Sequence, residues 1–112
     1  MSTAQEHYET WADTMNSMKA NAPALGPAFG GMFQKLMAEG ALSVLEKEFI
    51  AIAISMALRC EPCIYSHVEK AIKLGATREQ LTELAGVVVM MQGGPGYVYV
   101  PKLMDAMQAK GI

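Results

Sequence analysis

Ser43-Val44-Leu45-Glu46-Lys47-Glu48-Phe49-Ile50-Ala51-Ile52-Ala53-Ile54-Ser55-Met56-Ala57-Leu58-Arg59 is the stretch that decides the fold. It opens on Ser-x-x-Glu. In that pattern a serine hydroxyl and a glutamate carboxylate satisfy each other's free backbone N–H groups at a helix start. From Phe49 to Leu58 the segment is apolar on nearly every side of a helix. A helix without a polar face is a central one, so the rest of the chain is expected to pack around it.

The flanking segments keep the helical period. On the N-terminal side, Tyr8, Trp11, Ala12, Met15 and Met18 recur at the spacing of one apolar helix face. Asn21-Ala22-Pro23-Ala24-Leu25-Gly26-Pro27 reads as a linker. A second amphipathic helix follows through Phe29, Met32, Phe33, Leu36 and Met37, with Gly40 as its stop. On the C-terminal side, Pro62 suits the first turn of a helix, where its missing N–H costs nothing. That helix runs through Lys73 and ends at Gly75. Thr77-Arg78-Glu79-Gln80 is a second capping box, opening a helix with Leu81, Leu84, Ala85, Val88 and Met91 on it. Gly93-Gly94-Pro95-Gly96 is expected to be a turn, because it lacks the Lys-Ser/Thr of a phosphate loop. Tyr97-Val98-Tyr99-Val100 is β-like by local preference. A single strand would have no partner, so Tyr97 to Lys110 is expected to be a helix kinked near Pro101. The fold class is therefore all-α, a single domain over residues 1–112.

Composition excludes several functions. The 112 residues are 52% hydrophobic and 18% charged, with 11 acids against 9 bases. No basic stripe is present, so no nucleic-acid partner is expected. The apolar runs, Phe49 to Leu58 and Gly86 to Met91, are too short to span a bilayer, so no membrane partner is expected either. The apolar excess is read as subunit interface. The N-terminus lacks the basic and apolar parts of a signal peptide, and a cytoplasmic location is expected. There, paired thiols point to redox or metal chemistry rather than a structural staple. The ten methionines are read as core and interface filler. A soft-metal site is disfavoured because the pairs Met15/Met18 and Met104/Met107 lie at opposite ends of the chain. His7, beside Glu6 and Glu9, is expected to be solvated.

The chemistry sits in Cys60-Glu61-Pro62-Cys63-Ile64-Tyr65-Ser66-His67. It contains both cysteines of the chain, at a spacing that closes a disulfide. With Pro62 as first helical residue, Cys63 is the second, where free N–H groups and the helix dipole favour a thiolate. His67 lies one turn along the same face, and an imidazole accepts a thiol proton near neutral pH. Arg59 adds a positive charge nearby. Cys63 is thus assigned as the attacking thiol and Cys60 as the resolving one, which would condense with a sulfenic acid at Cys63 to give disulfide and water. The reverse order is the rule in many dithiol oxidoreductases and stays open. Two alternatives remain: a zinc site of two thiolates, one imidazole and one carboxylate, and a helical oligomer that senses redox state without turnover. Tyr65 either lines a pocket or packs.

Glu48 … Cys60-x-x-Cys63-x-x-x-His67 resembles the alkylhydroperoxidase D-like branch of the carboxymuconolactone decarboxylase family. Gly40-Ala41-Leu42, Lys47-Glu48, Ala71-Ile72-Lys73-Leu74-Gly75-Ala76-Thr77 and Gly93-Gly94-Pro95 extend the resemblance over about residues 25–110. The resemblance implies an all-helical chain assembled into dimers and into hexamers built as trimers of dimers. It implies reduction of hydroperoxides or disulfides by Cys60 and Cys63, with Glu48 and His67 as proton relay. No organic cofactor and no metal is implied, and a thioredoxin-like or lipoyl protein would be the thiol donor. Pro62 stands where peroxidase members can carry another histidine, which leaves general disulfide reduction open. The decarboxylase branch lacks the paired cysteines, so that activity is disfavoured. Glu48 lies twelve residues before Cys60, about 18 Å along a straight helix. It reaches His67 only if the chain folds back near Pro62 or if a second subunit supplies it.

Overall fold

The computed structural model describes residues 1–112, and every regular element is a helix. These are α1 (Thr3–Asn21), α2 (Leu25–Met37), α3 (Val44–Ala57), α4 (Glu61–Lys73), α5 (Arg78–Gln92), α6 (Gly94–Tyr97) and α7 (Val100–Ala109). Both capping boxes form as read. Ser43 and Glu46 exchange hydrogen bonds of 3.0 and 2.7 Å at the start of α3, and Thr77 and Gln80 exchange bonds of 3.1 and 3.0 Å at the start of α5. Ser2 caps α1 by accepting the Gln5 N–H.

α3 and α4 pack side by side as a hairpin, and α4 also packs on α7 and α1. α5 lies against α3. The core between them is built from Ile52 and Met56 of α3, Ile64, Tyr65 and Val68 of α4, Leu81 and Val88 of α5, and Leu103 and Met107 of α7. α1 is held at both ends of its contact with this core. The Ala4 N–H donates to Asp105 at 3.0 Å, and the Tyr8 hydroxyl donates to the Tyr65 carbonyl at 2.7 Å.

Several expectations need correction. α2 begins at Leu25, so Leu25, Gly26 and Pro27 are helical and the linker is shorter. Pro27 is accommodated because the first turn of a helix needs no N–H donors. α2 stops at Met37, three residues before Gly40. Its last carbonyls are taken by the Lys47 ammonium, which donates to Leu36 O at 2.9 Å and to Ala38 O at 2.5 Å. The glycine-rich turn is instead the short helix α6, preceded by Gly93 at φ 67°. The last segment is helical, but it breaks outright at Val98–Tyr99, and Pro101 falls in the first turn of α7. α3 is central on one side only: Ile50, Ile54 and Leu58 remain exposed, beside exposed Val87, Met90 and Met91 of α5. The accessible surface is 6914 Å², against about 6,000 Å² expected for this mass. No helix is long and apolar enough to cross a membrane.

Candidate active site

The site begins where α3 ends. The Cys60 N–H returns to Ser55 O at 3.0 Å and the Arg59 N–H to Met56 O at 3.1 Å. This pair of bonds is a Schellman turn, and Arg59 occupies its left-handed position at φ 57°. Glycine is the usual residue there, since a side chain costs about 1–2 kcal/mol in that conformation. Two neighbours hold the turn. Gln92 Nε2 donates to Ala57 O at 3.3 Å, and the Tyr99 hydroxyl donates to Arg59 O at 3.2 Å.

The turn delivers Cys60 to the mouth of α4. Here the sequence reading is corrected by one residue: α4 starts at Glu61, Pro62 is its second residue and Cys63 its third. The shift arises because Cys60 itself caps the helix, its Sγ accepting the Cys63 N–H at 3.3 Å. Cys60 and Cys63 are joined as a disulfide with Cα atoms 5.2 Å apart. Both residues are half-buried, so solvent reaches them. Glu61 is paired with Lys102 of α7 at 2.9 Å.

One turn further along α4, about 6 Å of rise, stands His67. Its Nδ1 lies 2.6 Å from Glu48 Oε2. The fold-back at Arg59–Cys60 therefore brings Glu48 to His67 within one chain, without a second subunit. Glu48 is 2% exposed and is the only charged residue in the core. Its side chain makes a buried contact with a partner that is itself 16% exposed. With Nδ1 donating to the carboxylate, Nε2 is the nitrogen left for proton exchange. The four predicted residues thus form two bonded pairs, Cys60–Cys63 and Glu48–His67, carried together on the α3–α4 hairpin. They do not gather as a metal site would: no group of three or more His, Cys, Asp or Glu side chains converges anywhere in the chain.

Sequence reasoning missed what surrounds the pairs. The Phe33 ring of α2 stacks on His67 with centroids 6.1 Å apart and planes 20° from parallel. Lys70 places its ammonium 4.2 Å from the centre of the Phe33 ring. Phe33 sits on an ordinary amphipathic stripe, and nothing in its spacing singles it out. His7 is half-buried rather than freely solvated. It stacks on Trp11 at 4.6 Å and meets Tyr65 at 5.1 Å. Burial lowers its pKa, the Glu69 charge opposing and the Lys110 charge adding to the effect. Burial and then the nearby charge of Glu69 push the Tyr8 phenol far above its usual range. Tyr65 packs, 1% exposed, and its hydroxyl has no hydrogen-bond partner.

The carboxymuconolactone decarboxylase family model matches residues 23–109. The chain belongs to that family. An uncharacterized protein of Cupriavidus necator is 37% identical over 90 residues, covering 78% of this chain and 80% of that protein. A carboxymuconolactone decarboxylase family protein from Legionella pneumophila, solved in its apo form, superposes with a TM-score of 0.86 at 32% identity, covering 96% of each chain. A family member from Thermotoga maritima, a candidate for a role in antioxidative response, superposes with a TM-score of 0.70 at 24% identity over 89% of this chain and 84% of that one. This last likeness bears on the fold alone. Family membership accounts for the all-helical architecture expected from the sequence.

Proposed function

We propose that the chain is a dithiol peroxidase of the carboxymuconolactone decarboxylase family. The observation that carries this is the half-buried Cys60–Cys63 disulfide at the mouth of α4, on the same helix as an imidazole bonded to a buried carboxylate. In the reduced protein the Cys63 thiol passes its proton to His67 Nε2, and Glu48 holds the ring and stabilises the resulting charge. The Cys63 thiolate attacks a peroxide oxygen. A sulfur–oxygen bond forms, the oxygen–oxygen bond breaks, and the departing alkoxide takes the proton back from His67 to leave as an alcohol. Cys60 then attacks the Cys63 sulfenic acid, giving the disulfide and water. An external dithiol, of thioredoxin-like or lipoyl type, restores the two thiols by exchange. The same reducible pair would equally serve a disulfide substrate.

One observation favours the opposite order of attack. The Cys63 N–H points at Cys60 Sγ, and a hydrogen bond from a helix N-terminus stabilises a thiolate there. In the forward order that bond instead prepares Cys60 for its resolving step. Single variants separate the two. On peroxide treatment, Cys60→Ser should accumulate a sulfenic acid that a carbon nucleophile traps, and Cys63→Ser should not. The reverse pattern would move the attack to Cys60. Trapping in neither variant, with no peroxide consumed by the reduced wild type, would reject the peroxidase reading.

The exposed apolar face of α3 and α5 supports a homo-oligomer. Ile50, Ile54, Leu58, Val87, Met90 and Met91 form it, and a shallow cavity between the two helices is lined almost wholly by apolar side chains. Burial of such a face is the usual source of subunit association.

A further inference from the structure

A groove of about 730 Å³ runs between α1 and α2 and reaches Lys70 of α4. Its volume lies within the ~300–1,000 Å³ of small-molecule sites. Met15, Met18, Leu25, Phe29 and Phe33 give it apolar walls. Thioether and aromatic walls of this kind adapt to flexible apolar chains. The charged residues on it are Lys19 and Lys70, and no carboxylate lines it. A site with adaptable apolar walls and cations alone matches an amphiphile with a negative head. The absence of acids disfavours a cationic or zwitterionic amphiphile.

Two glycines make room for such a ligand. Gly26 and Gly30 lie one turn apart on α2 and both line the groove. The stem of Lys19 rests over Gly26, with its Cγ 3.7 Å from where a Cβ would stand. A Cβ at Gly30 would meet nothing within 4 Å. At Gly30, in the interior of α2, glycine costs roughly 0.5–1 kcal/mol relative to alanine, and no close packing requires it. The space it leaves is groove. The groove also joins the redox site, because Phe33 belongs to both: it forms part of the wall and stacks on His67.

We propose that this groove binds long-chain alkyl carboxylates, with the chain along the α1–α2 walls and the carboxylate at Lys19 and Lys70. Resting on the peroxidase reading, the substrates delivered past Phe33 are hydroperoxides of such acids. The overall step is acid hydroperoxide plus the Cys60/Cys63 dithiol giving hydroxy acid, water and the disulfide.

Binding is tested on the oxidised protein as purified, by titration calorimetry with dodecanoate below its micellar concentration. Dodecanoate should bind with one site per chain, and dodecylamine should bind at least tenfold more weakly. Lys19→Ala/Lys70→Ala should weaken dodecanoate tenfold or more. Gly30→Phe, whose Cβ meets nothing within 4 Å and whose ring would occupy the groove, should abolish binding while circular dichroism and the thermal midpoint show an intact fold. Absence of dodecanoate binding, equal binding of the amine, or full affinity in Gly30→Phe would each overturn the groove assignment; a second copy of the chain covering the groove would give the first of these. Consumption of cumene hydroperoxide by the reduced wild type is measured in parallel. Turnover without dodecanoate binding leaves the peroxidase reading standing and removes the groove. Binding without any turnover keeps the groove and removes the peroxidase reading.

Discussion

Replacing His67 with leucine should cost more stability than any other single change at the site. Glu48 is 2% exposed, and its one hydrogen-bond partner is His67 Nδ1 at 2.6 Å. Leucine removes that partner and leaves a carboxylate facing the core. Breaking a buried pair from one side costs about 3–5 kcal/mol. Set against a total stability of about 5–15 kcal/mol, this is a large fraction, and it corresponds to a fall in midpoint of about 10–20 °C. The reverse single change, Glu48→Leu, should cost less, because the imidazole is 16% exposed and keeps contact with water. The double variant should recover most of the loss, since an apolar pair of similar volume replaces a buried ionic one at little cost. The assay is urea unfolding of the four proteins at pH 7 and one fixed chain concentration. A loss below about 1 kcal/mol for His67→Leu would place the pair in the range of exposed ion pairs. The buried relay would then be rejected.

Three further outcomes are expected. Burial holds the His7 imidazole below its usual range, so the unfolded chain binds that proton more tightly; the contribution is complete above the unfolded value and is lost as pH falls from there through the lower folded value. Wild type should therefore weaken relative to His7→Phe below about pH 6.5, as read from urea midpoints between pH 5 and 7.5, and a flat difference would return His7 to solvent. Gly96→Ala should cost about 1–3 kcal/mol, because its Cβ would stand 3.0 Å from Val88 O and 3.1 Å from Gln92 Cβ, whereas a Cβ at Gly94 meets nothing within 4 Å and Gly94→Ala should be near neutral. Ile54→Lys places a charge in the exposed α3–α5 face; sedimentation should show wild type as a multiple of the chain mass and the variant as a smaller species, and an unchanged species would move the interface elsewhere.

The helices were legible because their start signals are local. Ser43/Glu46 and Thr77/Gln80 make the bonds that their spacing announces. Stop signals were less legible. α2 ends where Lys47 reaches back to Leu36 and Ala38, a contact between residues eleven and nine apart that no local rule contains. α4 starts one residue earlier than the position of Pro62 suggests because a cysteine is not an expected cap, and the bond from the Cys63 N–H to Cys60 Sγ forms only in the folded turn. The Cys60/Cys63 pair and His67 were legible from spacing. Glu48 is legible mostly through the family resemblance, with the apolar run after it as the one local hint of a buried carboxylate, since its meeting with His67 depends on the hairpin at Arg59. Phe33 and the aromatic packing of His7 were invisible for a related reason: each depends on which helix lies across from it. The central helix was overread, because a sequence apolar on all sides does not say whether its own chain or another covers each side.

Cys60 has two duties that cannot be separated. Its sulfur receives the amide of Cys63, the third residue of α4, and the same atom exchanges between bonded and free forms if the pair cycles. An anionic sulfur is a stronger acceptor than a bridged one, so electron gain tightens the opening turn of the helix and electron loss relaxes it. Oxidation potential and local helix order are then a single linked equilibrium. Any change that frays the start of α4, even one remote from sulfur, should make the disulfide harder to reduce.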